Sequence, residues 1–171
     1  TEVALAEMPA IIFYLGETLN LMPDDLERRA MTMKIVNDAN DVIDEITLNG
    51  GDHMWTEDRW ATYRPRLAKW MSIWEDTGRR YGLDRNSGYL LGSPAAGVAD
   101  VITATLWATM TERFSKIRDL LDETAPMTAA LSKRISSLSP LVELAEKSRQ
   151  NYGDTYAGGQ IGASMTKILN D

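Results

Sequence analysis

Few side chains in this sequence can do chemistry unaided. It has one histidine, His53, and no cysteine. Without cysteine there are no disulfides, thiolate metal sites or cysteine nucleophiles. A di-iron site in a helix bundle needs a Glu-x-x-His pair from each of two helices, and a zinc site rich in histidine also needs several imidazoles, so one histidine excludes both. A Ser-His-Asp triad must run through His53. That residue sits in the run Gly50-Gly51-Asp52-His53 with no serine proposed as its partner, and it reads as an ordinary loop histidine.

Carboxylates offer more. Projected at the helical angle, Asn37, Asp38, Asn40, Asp41, Asp44 and Glu45 share one side of a helix, and Ile35, Val36, Ala39, Val42, Ile43 and Ile46 share the other. The polar stripe is either a binding face or a solvated one, and the residues alone leave both readings open. Asp100 stands three residues after Gly97 and just before an uncharged run, where a carboxylate can reach back to the N–H of the capping residue and fix a helix start. Trp60, Trp70 and Trp74 recur at helical spacing with Tyr63, Leu67 and Met71; the pattern fits a ligand box, but core is the simpler reading.

The elements that must position these residues are helical, because no alternating strand pattern occurs anywhere in the sequence. The spacing predicts a helix over about Pro9 to Asn20 and a long one from Asp24 or Asp25 to Leu48, closed by Asn49-Gly50-Gly51. A third runs from about Thr56 to Tyr81, with a bend expected at Pro65. A fourth, Val98 to Arg113, carries no charge from Val101 to Thr111 and belongs in the middle of a domain. The segment "FSKIRDLLDE" leads to a short helix opened by Pro126, and another runs from Leu141 to about Tyr152, with Ser139 as cap and Pro140 in its first turn. The tail "GDTYAGGQIGASMTKILND" is rich in glycine and serine and reads as flexible.

A chain of 171 residues suits one domain of ordinary size. Its net charge of -7 repels a duplex phosphate backbone, and the basic residues do not cluster, so nucleic acid is not an expected partner. No uncharged stretch approaches the roughly 18 to 20 residues that span a bilayer, and the start lacks the pattern of a secretory signal. The reading is a soluble, cytoplasmic protein with no membrane partner.

Two stretches carry a family resemblance. In "GYLLGSPAAGVADVITATLW", a "YLLG" precedes a short loop and then "ADV" opens an apolar helix; this resembles the C-terminal domain of cytosolic glutathione S-transferases. That family places Ser or Thr three residues before the Asp, where this chain has Gly97. The opening "LAEMPAIIFYLGETLNLMPDD" is similar to the last helix of the family's thioredoxin-like domain and the linker that follows it. The resemblance implies an all-α fold, a glutathione S-transferase C-terminal-like helical bundle preceded by one helix left from a thioredoxin-like domain. It divides the chain into residues 1–22, that helix and linker, and residues 23–171, the helical domain with a flexible tail.

The resemblance also implies roles. The family's acidic or amide residue and following Ser, which hold the γ-glutamyl carboxylate of glutathione at a helix start, fall on Glu7 and Met8, and Met8 leaves only its backbone N–H to serve. An Asp sent across the dimer to the glutathione amino group is nearest to Asp41. The electrophile wall falls on Asn37, Asp41 and Asp44 of the long helix and on Tyr152 or Tyr156. Gly97 and Asp100 are structural caps. No residue matches the thiol-activating Tyr, Ser or Cys, so no catalytic residue is assigned, and the chain alone is expected to be inactive. The implied function is conjugation of glutathione, as substrate, to a small hydrophobic electrophile by a homodimer that contains no metal. The alternative is a non-catalytic interaction module. On either of these readings Ile11, Ile12, Tyr14 and Leu15 are expected to pack on β-structure that this chain does not contain, whereas a free-standing helical bundle of unrelated origin would bury that face within the chain.

Overall fold

A computed structural model describes residues 4–153 and 159–170, apart from the side chains of residues 49 and 50. Every regular element among them is a helix. α1 covers Met8–Thr18, α2 Leu26–Ile46, α3 Leu48–Gly51, α4 Glu57–Arg80 and α5 Val98–Arg113. α6 covers Ser115–Thr124, α7 Pro126–Ser136, α8 Ser139–Tyr152 and α9 Gly159–Leu169.

The starts of the long helices follow from capping chemistry. The Asp25 side chain accepts the N–H of Arg28 at 2.8 Å, and the Thr56 hydroxyl accepts that of Arg59 at 3.3 Å. Each satisfies a first-turn donor that has no partner within its helix. α4 runs through Pro65. Both Pro65 and Ala61, whose carbonyl loses a donor to the proline, are exposed, so water can take over that bond.

α5 is the middle of the molecule, packed by α2, α6 and α7, with α4 lying across α6 and α7. Trp107 of α5 is fully buried against Trp74 of α4, their rings edge to face at 5.4 Å and 88°. Trp74 Nε1 donates to Thr103 Oγ1 at 2.9 Å, which gives its polar end a partner inside the core. Ile35, Leu67, Met71, Leu90 and Leu131 complete this layer at 0 % exposure. The tryptophan stripe of α4 is therefore core, with Tyr63 and Trp70 at its half-buried margin.

A carboxylate from one helix caps another. Glu75 of α4 is 3 % exposed and accepts the backbone N–H groups of Met127 and Thr128, each at 3.0 Å, and the Thr128 hydroxyl at 3.0 Å. Negative charge at the start of α7 is favoured both by the orphan donors and by the helix dipole.

Three local expectations need correction. Asn49-Gly50-Gly51 does not simply stop α2; it belongs to the extra turn α3, entered through Leu48 at φ 51. Ser139 does not cap α8: the capping position is Leu138, with no side-chain bond, and Ser139 is the first helical residue. The tail is not a flexible end throughout, because residues 159–169 form α9 with Met165, Ile168 and Leu169 buried. Its apolar positions recur at steps of four, three and one, enough to dock a helix that glycine content alone argues against. Ser115 N–H donates to Asn170 Oδ1 at 3.0 Å, Ser115 Oγ to the Leu169 carbonyl at 3.1 Å and Lys116 Nζ to the Ile168 carbonyl at 2.6 Å. These bonds satisfy acceptors at the open end of α9.

Candidate functional site

Between α2, α5 and α9 lies a cleft of about 340 Å³. α2 presents Ala39, Ile43 and Ile46, one helical stripe, and Thr47 follows them. α5 presents Ile102, Thr105 and Thr109, and α9 presents Ile161, Gly162 and Met165. Met8, the first residue of α1, reaches the same space, while Met110 and Phe114 form its floor. Among the described residues no charged side chain lines it. Such a lining excludes an ionised group, whose burial without a partner costs several kcal/mol.

The uncharged run of α5 explains how the cleft arises. Ala104, Leu106, Trp107 and Met110 are buried as a central helix requires, but Thr105 is exposed and Ile102 and Thr109 are half-buried. α5 is thus covered on most of its surface and open on one side. Ile43 likewise falls on the apolar stripe of α2 and yet is 41 % exposed, where it lines the cleft.

α1 meets the other helices most closely near its end. Gly16 is its one buried residue; a Cβ there would stand 2.7 Å from Val98 Cγ2, so glycine permits the close crossing at the start of α5. The N–H groups of Leu21 and Met22 both donate to the Gly16 carbonyl, at 2.8 and 3.2 Å, and Glu17 pairs with Arg29 of α2. One face of the helix is open. Ile11, Phe13, Tyr14 and Leu15 are between 37 and 46 % exposed.

The start of α5 is held from three directions. Asp100, 2 % exposed, accepts the N–H of Gly97 at 2.9 Å and that of Leu90 at 2.7 Å. Burial raises its carboxyl above the ordinary aspartate range, and the two backbone donors together with the charge of Arg134 offset part of this. Arg134 in turn donates to the carbonyls of Arg85 and Gly88, at 3.1 and 2.7 Å, tying the loop before α5 to α7. From the linker, the Leu21 carbonyl accepts the N–H of Val98 at 3.0 Å.

The residues singled out from the sequence are distributed unevenly. Glu7 is exposed at the capping position of α1, at φ 68 and with no side-chain cap bond; Met8 lines the cleft. Asn37, Asp41 and Asp44 are exposed on α2, each two positions before Ala39, Ile43 and Ile46, so their stripe lies about 200° around the helix from the cleft. Asn37 Nδ2 donates to the Met33 carbonyl at 2.7 Å, and Asp44 accepts from Asn40 Nδ2 at 3.2 Å. Tyr152 is exposed at the end of α8, and Tyr156 lies outside the described residues. Sequence reasoning did not single out Ile102, Thr105, Thr109, Ile161 and Met165. The available signals were two threonines a helical turn apart in an uncharged run, and the apolar periodicity of the tail.

His53 is exposed in the loop between α3 and α4. Among the described residues no group of three or more His, Asp and Glu side chains is placed to hold a metal, and no helix is long and apolar enough to cross a membrane. A comparison with curated proteins returns no match. Residues 31–168 match the family description "Glutathione S-transferase, C-terminal domain", a span that takes in the cleft residues of α2, α5 and α9 and the Asp100-capped start of α5. The chain therefore belongs to the glutathione S-transferase family, whose C-terminal helical domain it carries.

Proposed function

We propose that this chain supplies the electrophile-binding wall of a glutathione transferase, and that in the complete enzyme a thioredoxin-like domain packs on the open apolar face of α1. The cleft carries this reading. It is uncharged, large enough for a small molecule at the lower end of the roughly 300–1,000 Å³ range for such sites, and it reaches Met8 at the start of α1.

On this reading residues 1–22 belong to the thioredoxin-like half and 23–171 to the helical half. Glutathione is the co-substrate. Its γ-glutamyl carboxylate is held at the start of α1 by the backbone N–H of Met8, with Glu7 placed to accept from the γ-glutamyl ammonium, while the Met8 side chain faces the electrophile. Helix starts favour such anions because their first N–H groups lack partners. Asp41, on the outward stripe of α2, reaches the glutathione amino group across a homodimer; Asn37 and Asp44 flank it, and Tyr152 and Tyr156 close the tail side. Thiolate stabilisation comes from the thioredoxin-like half, so this chain alone turns over no substrate. The setting is cytoplasmic, and the biological role is detoxification.

A non-catalytic interaction module is favoured by one specific feature, Met8 where the family has a hydroxyl. Retention on immobilised glutathione and conjugation of 1-chloro-2,4-dinitrobenzene, measured on the protein with its thioredoxin-like domain, separate the two. Loss of both leaves the interaction module. Sedimentation velocity on the same protein tests the dimer.

A further inference from the structure

We draw no further inference here: the strongest candidate, the open groove over Trp55 and Tyr63 at the start of α4, is lined by Asp58 as well as by Arg59 and Arg66, so that its charge selects no partner, and nothing in the structure shows what covers it.

Discussion

The Leu21 carbonyl oxygen lies 2.8 Å from the position that a Cβ on Gly97 would occupy. The same oxygen accepts the N–H of Val98, so the linker serves a first-turn donor of α5 and leaves no room for a capping side chain. Relatives carry Ser or Thr at this position, yet Gly97→Ser is expected to destabilise this chain by about 1–3 kcal/mol, because the clash is with backbone and cannot be relieved by a rotamer. Urea unfolding of the two proteins measures it; equal or greater stability of the serine variant would mean that the linker moves freely away.

Glu75 gives a second test. Glu75→Ala strips a half-buried and a buried backbone donor of α7, and the Thr128 hydroxyl, of their acceptor and is expected to cost about 3–5 kcal/mol, while Glu75→Gln, which keeps one acceptor oxygen, should cost about 1–2 kcal/mol. Chemical denaturation gives both values. If the alanine variant is the milder of the pair, the cap contributes nothing.

Acidification probes Glu45. Burial pushes its carboxyl up, but hydrogen bonds from Arg66 and from Trp70 Nε1, the latter at 3.0 Å, outweigh this and hold it below the ordinary glutamate range. With the folded value below the unfolded one, the stabilisation is present above the ordinary glutamate value of 4.5 and is lost as pH falls through the lowered folded value. Glu45→Gln should therefore be less stable than the parent at pH 7 and indistinguishable from it below the folded value, with the gap at pH 7 shrinking in salt. Thermal unfolding across pH 2–7 reads the difference.

The open face of α1 predicts indifference. Ile11→Ala with Leu15→Ala should change the stability of this chain by no more than about 0.5 kcal/mol, whereas Leu67→Ala in the core should cost about 2–5 kcal/mol. Hydrogen exchange adds a second measure: amides of residues 11–15 exchange faster than those of residues 101–110. A large penalty for the α1 double variant would mean that the face is already packed.

Legibility in the sequence follows the strength of each local signal. α4 and α5 are readable almost to their ends, because Thr56 caps the one, Asp100 fixes the other, and the apolar stripe of α4 and the uncharged run of α5 mark their lengths. α9 is obscured by its glycines; what forms it is docking of Met165, Ile168 and Leu169 on α6, a tertiary term that propensity does not contain. The cleft is legible only in retrospect. Residues on the apolar stripe of α2 read as core, and nothing local tells Ile43, which ends at an opening, from Ile35, which is sealed. Asn37, Asp41 and Asp44 attract notice because polar groups are the usual agents of chemistry, yet this space is defined by the absence of charge.

The edge-to-face meeting of Trp74 and Trp107 has an optical consequence. Two indoles held this close and nearly perpendicular couple their electronic transitions, which gives the protein a circular-dichroism couplet that depends on mutual orientation rather than on helix content. That band fades as soon as α4 and α5 lose register, even while the backbone stays helical, so the interior reports its own loosening without a label.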